Sequence, residues 1–305
     1  MGRILYSENI GFDMSDWQSE NVVCVAAGSD CVLALTADGR VLTKSLRVDG
    51  EEKKPSLWQK LMRLCGLDPA EDWKRVKYLA VSGTNGVAVG LRTNGSCVIR
   101  QVGTASEKLN KELYRKAQNT VTSWKNIVSV SVSDAIFGLD SFGRVYCAPL
   151  TWSASYRETA EWRNIVRLVP GGKGLVFGIT SHGHVALCGG ELSKSRKRAV
   201  ESLRDAVDLG ICGKEEIVVV HRDGTVENLR AGVLYDFLCH GRPGCVACHR
   251  GGIAARDANG VIRFVADGES PLLPLPFGQT PVTSFAIGNL DRAEPFLVAV
   301  EKESR

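Results

Sequence analysis

One short phrase recurs down this chain and constrains what it can fold into: a small apolar run, a short spacer, a turn ending in Gly, then a second apolar run. It surrounds Gly39 (CVLALTADGRVL), Gly95 (GVAVGLRTNGSCVI), Gly143 (AIFGLDSFGRVY), Gly183 (LVFGITSHGHVAL), Gly224 (IVVVHRDGTVENL) and Gly260 (GIAARDANGVIRF). Successive turn glycines stand 56, 48, 40, 41 and 36 residues apart. A strand–turn–strand unit repeating near 40 residues is the sequence signature of a β-propeller. Asp-Gly and Asn-Gly at several of these turns predict two-residue hairpins with both central residues at positive φ.

The ends of the chain supply a seventh copy in two pieces. Phe296 to Lys302 resembles the run before each turn, and Gly2-Arg3-Ile4-Leu5 matches the run after it, as in Gly39-Arg40-Val41-Leu42. The expected fold is therefore all-β. It is a seven-bladed propeller closed by pairing of N- and C-terminal strands, with short helices inserted between strands. The expected domain is single, residues 1–305, with the seventh repeat split between 281–305 and 1–7. Closure in this way removes two free sheet edges.

Each copy begins with a further strand that ends in a Gly-rich loop, such as VVCVAAGSD and IVRLVPGGKG. Near-continuous apolar runs of four to six residues fit strands covered on both faces. Trp73, Trp124 and Trp162 each precede such a strand, with Val76, Ile127 and Ile165 three residues later. They are read as wedges between neighbouring blades.

The combined pattern, W-x-x-I-x-x-V-x-x-G followed by A-L-x-x-D-G-x-V, resembles the repeat of the regulator of chromosome condensation family over essentially the whole chain. That resemblance implies a seven-bladed propeller. The Trp-Gly-x-Asn and Gly-Gln-Leu-Gly segments of typical eukaryotic members are absent. The loops are closer to divergent bacterial relatives that serve as interaction or inhibitor propellers. The resemblance also implies an alternative function, guanine-nucleotide exchange on a small GTPase, although no motif carries the exchange residues onto this chain.

Composition narrows the class. At 305 residues and 44 % hydrophobic content, the chain can bury a large core. No apolar stretch is long enough for a spanning helix, so no membrane partner is expected. A net charge of +4 argues against a nucleic-acid partner held mainly by phosphate contacts. The N-terminus has no hydrophobic signal segment, so the ten cysteines are expected reduced in a cytoplasmic, monomeric protein.

Chemical motifs are few. Cys245-Val-Ala-Cys248-His249 matches the haem-attachment pattern, and with Cys239 it offers four ligands for zinc. Alignment of the turns instead places Cys245 opposite Cys24, in a first strand, so neither a cofactor nor a metal is expected. The histidines lack a nucleophile motif, and Gly171-Gly172-Lys173-Gly174 lacks the spacing of a phosphate loop. No enzyme activity is expected. Arg256 stands where other copies have Leu, Ile or Val.

The irregular parts carry the functional expectation. Loops between first and second strands should emerge on one face around a central channel. They present Asp30, Asn85, Asp134, Lys173, Lys214, Glu215, Arg250, Asp291 and Arg292 to another protein. Helical spacing predicts one inserted helix around Trp58 and a second over Ser106 to Gln118 with Leu109, Leu113 and Tyr114 on a stripe. Trp58 and Tyr114 are secondary partner-binding candidates. The basic run Ser193 to Arg198 reads as a solvated loop, with an acidic partner or a targeting signal as the alternatives.

Overall fold

The computed structural model describes residues 3–7, 10, 13–28, 30–45, 73–83, 85–102, 109–152, 156–171, 174–190, 192–212, 216–230, 232–241, 244–249, 252–266, 277–289 and 295–302. They form small antiparallel sheets, here numbered I to VII. Sheet I is β2 (Val22–Ala27), β3 (Cys31–Thr36) and β4 (Val41–Ser45). Sheet II is β5 (Val76–Val81), β6 (Val87–Arg92) and β7 (Cys97–Gln101). Sheet III is β8 (Ile127–Val132), β9 (Ala135–Asp140) and β10 (Val145–Pro149). Sheet IV is β11 (Ile165–Pro170), β12 (Val176–Thr180) and β13 (Val185–Cys188). Sheet V is β14 (Ala206–Cys212), β15 (Glu216–His221), β16 (Val226–Asn228) and a short fourth strand, β17 (Val233–Leu234). Sheet VI is β18 (Val246–His249), β19 (Gly252–Arg256) and β20 (Ile262–Ala266). Sheet VII joins β21 (Val282–Asn289) and β22 (Pro295–Glu301) to the N-terminal β1 (Ile4–Tyr6).

The register of sheet VII repeats that of the others. Ile4 lies opposite Val300 as Val41 lies opposite Leu35 and Val145 opposite Leu139. A strand supplied by the N-terminus thus takes the third place in a sheet begun by the C-terminal segment.

Middle strands are buried along their whole length in sheets I and III, which explains their unbroken apolar runs. Apolar clusters lie between successive sheets. Leu33 and Leu35 of sheet I meet Val76, Leu79 and Ala88 of sheet II. Phe137 and Leu139 meet Ile165, Leu168 and Val176. At the end of the series, Phe296, Val298, Val300 and Ile4 of sheet VII meet Val22, Val25, Val32 and Ala34 of sheet I. Each fully enclosed side chain such as Phe137 contributes about 1.5–3 kcal/mol by leaving water.

The tryptophans wedge as expected. Trp73 and Trp124 are buried, in the clusters between sheets I and II and between II and III, and Trp162 packs between III and IV. Each ring lies over a glycine in the middle strand of the sheet that follows it. A Cβ at Gly90, Gly138 or Gly178 would come within 2.5, 2.7 or 2.7 Å of the ring of Trp73, Trp124 or Trp162. Sequence reading identified the rings but not these seats.

The turns differ from the two-residue expectation. Only the glycine has positive φ, 83° at Gly39 and 75° at Gly143, and Asp38 and Asn94 stay in ordinary conformations. Gly39 N–H donates to the Thr36 carbonyl and Thr36 N–H to the Arg40 carbonyl. This is a four-residue turn closed by a left-handed glycine, the second common hairpin solution. It suffices because the turn leans on the next sheet. Val76, Ile127, Ile165 and Ala206 donate N–H bonds to the carbonyls of Gly39, Gly95, Gly143 and Gly183. A Cβ at Gly143 would stand 2.9 Å from the Asn164 Cα, so the glycine serves both φ and close approach.

Among the described residues, two α-helices interrupt the repeats. Helix α1 (Lys111–Ser123) begins later than the predicted Ser106, because the Asn110 side chain accepts the N–H groups of Glu112 and Leu113 and so fixes the start. Residues 106–108 of that prediction, and the whole predicted helix around Trp58, lie outside the described residues. Helix α2 (Lys194–Ser202) occupies the basic run read as a loop; Ser193 caps it, and Val200 anchors it in the core between sheets IV and V.

Candidate functional site: a loop face and a ring of inner strands

The first strand of six sheets carries a register shift near its start, between Val22/Cys24, Val76/Tyr78, Ile127/Ser129, Ile165/Arg167, Ala206/Asp208 and Val282/Ser284. The extra residue is pushed out of the ladder, leaving Val23, Val128 and Val166 about half exposed. The next residue occupies one equivalent position in each of these six sheets: Cys24, Tyr78, Ser129, Arg167, Asp208 and Ser284. The chemistry at this position changes from sheet to sheet, so the sequence period does not mark it.

Three members form a buried polar network. Arg167 Nε lies 3.3 Å from Asp208 Oδ1, and Asp208 Oδ2 accepts the N–H groups of Gly244 at 2.6 Å and Cys245 at 3.1 Å. The Tyr78 hydroxyl also hydrogen-bonds the Arg167 side chain. First strands of sheets II, IV and V thus come together at this network. The Asp208 side chain is enclosed, and that of Arg167 is about one-fifth exposed. The Asp208 carboxylate raises the guanidinium's proton affinity against the cost of burial. At the equivalent place between sheets VII and I, Ser284 Oγ accepts the Val25 N–H at 3.3 Å. These bonds hold first strands together.

At one end of those strands lie the loops singled out by sequence. The loop after β5 is tied to the loop after β8: Asn85 Nδ2 donates to the Ser133 carbonyl at 2.8 Å, and Ser82 Oγ reaches the same oxygen at 3.3 Å. Asp134 follows directly, and its carbonyl accepts the Leu150 N–H. The Asp134 carboxylate lies by the Tyr156 hydroxyl, whose pKa rises through burial and then through that negative charge. Gly28, two residues before Asp30, abuts Val81 and the Ser82 carbonyl. Asp30, Asn85 and Asp134 therefore stand on neighbouring loops of one face. The Asn85 Oδ1 atom is buried, and among the described residues no donor reaches it.

Tyr114 sits elsewhere, on α1. It is partly buried against the core between sheets II and III, with its hydroxyl 3.5 Å from the Ile99 carbonyl. Lys173, Lys214, Glu215, Arg250, Asp291, Arg292 and Trp58 lie outside the described residues.

Cys239 and Cys245 lie in the core between sheets V and VI with their thiols hydrogen-bonded, and that contact together with burial pushes the Cys239 pKa up. The side chains of Cys248 and His249 fall outside the described residues. Burial pushes the thiols of Cys31, Cys97 and Cys147 up to about 12, so they serve as apolar filler. Arg256, odd in sequence, donates through a terminal guanidinium nitrogen to the Thr283 carbonyl and so links sheet VI to sheet VII.

No protein-family profile and no curated protein sequence matches the chain. Its similarity lies with solved structures. Yeast RCC1 (Prp20), in its complex with Kap60, superposes with a TM-score of 0.58 at 14 % identity, over 93 % of this chain and 81 % of that one. Human WBSCR16 gives 0.58 at 11 % identity, over 94 % and 88 %. The β-propeller domain of Myceliophteria thermophila Cps50 (Swd1) gives 0.51 at 11 % identity, over 93 % and 97 %. At such identities the likeness establishes the fold, a β-propeller of RCC1-like build, and not the activity.

Proposed function

We propose that this chain is a closed seven-bladed propeller that binds another protein through the loop face carrying Asp30, Asn85 and Asp134, without catalysing a reaction. Closure follows from reading sheet VII, built from both termini and packed on sheet I, as the seventh blade. The proposed protein is monomeric and cytoplasmic. One observation carries the binding reading. Dissimilar polar side chains are held on neighbouring loops by a rigid scaffold, with the buried Asn85 Oδ1 acceptor lacking a donor among the described residues. Yeast RCC1, similar in fold, has been solved with a protein, Kap60, bound to it. The exchange reading has no such support, since the likeness to yeast RCC1 reaches the fold alone.

The test is affinity capture from native lysate, comparing the wild type with an Asp30→Lys/Asp134→Lys/Lys173→Glu/Arg250→Glu variant. A stoichiometric partner held by the wild type and lost by the folded variant is expected. Retention of that partner by the variant would overturn the loop-face assignment.

A further inference from the structure

A second candidate site lies against sheet V, at the Glu216 end of β15 rather than on the loops that carry Asp30, Asn85 and Asp134. Between α2 and the ends of β15 and β16 is a cavity of about 310 Å³. Its apolar floor is Ala199, Ile217 and Leu229, and its rim is Ser193, Ser195, Arg196 and Arg230. That volume is near the lower end of ligand sites, roughly 300–1,000 Å³, so it suits one or two side chains rather than a large cofactor.

The surface beside it is strongly basic. Helix α2 has four cations in its first five residues, Lys194, Arg196, Lys197 and Arg198, and no carboxylate in its first turn. Cations at that end oppose the helix dipole, and a nine-residue helix with Val200 as its one buried residue has little margin. Lys197 reaches Glu201 at 3.9 Å, and Arg230 pairs with Glu216 at 3.0 Å across the groove wall. For a chain of net charge +4, this is a local concentration of charge. Local sequence choices that work against their own element mark places where something other than folding sets the residue.

We propose that this groove docks an acidic segment of a partner protein, its carboxylates on the basic face of α2 and an apolar anchor residue in the cavity over Ile217 and Leu229. Charge complementarity selects an acidic partner, and the apolar floor selects a peptide over a nucleic acid, whose phosphates would leave the floor unfilled. A nucleic acid would also need basic surface well beyond one short helix.

The test uses a fluorescein-labelled peptide with Leu-Phe between two runs of glutamate, titrated by anisotropy against the full chain. The competitors are an unlabelled all-glutamate peptide and a single-stranded oligonucleotide. Saturable binding that weakens with salt is expected. Lys194→Glu/Arg198→Glu, both exposed, should weaken it at least about tenfold without lowering the melting temperature. Ala199→Phe should block the cavity while keeping the charges; should that variant fail to fold, the charge reversal still decides. Asp30→Lys/Asp134→Lys should leave peptide binding intact, so failure of the loop-face reading is separable from failure of this one. Absence of saturable binding, equal binding by the reversal variant, or equal or better competition by the all-glutamate peptide or the oligonucleotide would overturn the proposal.

Discussion

Asp208 is the residue whose removal tests the ring of first strands most severely. Its carboxylate accepts from Gly244 N, Cys245 N and Arg167 Nε at 2.6, 3.1 and 3.3 Å, joining first strands of sheets IV and V to the entry of sheet VI. Asp208→Ala leaves the largely buried Arg167 charge without its carboxylate, a cost of at most about 3–5 kcal/mol. It also orphans two backbone N–H groups, at about 1–3 kcal/mol each when dry. These costs overlap, because water entering there would hydrate both, so the expected loss is about 4 kcal/mol. At about 2 °C per kcal/mol for a chain of this size, the melting temperature should fall by about 8 °C. Arg167→Met/Asp208→Asn keeps an acceptor for the two N–H groups and removes both charges, so it should cost less than about 2 kcal/mol. Urea unfolding followed by circular dichroism measures all of this. A loss below about 1 kcal/mol in Asp208→Ala, or a double variant no more stable than the single one, would refute the reasoning.

Two further outcomes follow from packing and charge. Gly138→Ala places a Cβ 2.7 Å from the Trp124 ring and should cost about 1–3 kcal/mol, and Trp124→Ala about 3–5 kcal/mol, both read by thermal unfolding. His221 lies 2.8 Å from Asp205 and 3.1 Å from Glu227. Burial opposes its charge, but the two carboxylates outweigh burial and raise its pKa. Its stabilisation is therefore full below the unfolded value of about 6.5 and is lost as pH rises through the higher folded value. Wild-type melting temperature should fall more steeply than that of His221→Gln as pH is raised from about 6 to about 9; parallel curves would contradict the assignment.

Much of the fold was legible because the repeats reuse the same physics. The turn glycines are forced by a left-handed φ and by contact with the next sheet, so they recur and can be counted. Trp73, Trp124 and Trp162 recur for the same reason, each filling the gap over a middle-strand glycine. The pairing of β1 with the C-terminal segment was legible because Ile4 occupies the register place of Val41. Features present once were hidden. Helix α2 was missed because its leading cations argue against a helix start, and its Ser193 cap is one residue. Strand β17 adds only Val233–Leu234, too short for a pattern. The Tyr78, Arg167 and Asp208 network escaped because its members come from three repeats and meet only in the fold. Of the candidate face, the loop positions could be read from the sequence. The bond from Asn85 to the Ser133 carbonyl could not, since it depends on the approach of neighbouring sheets.

Ring closure underlies the whole account, and it is tested most directly by deleting residues 1–7. Ile4 is buried in the cluster shared by sheets VII and I, and β1 fills the third place in sheet VII. The account predicts that the deletion replaces a single cooperative unfolding transition with a broad one at markedly lower temperature. An added peptide of residues 1–9 should partly restore it. A melting transition unchanged in midpoint and width would contradict closure by the terminal strands.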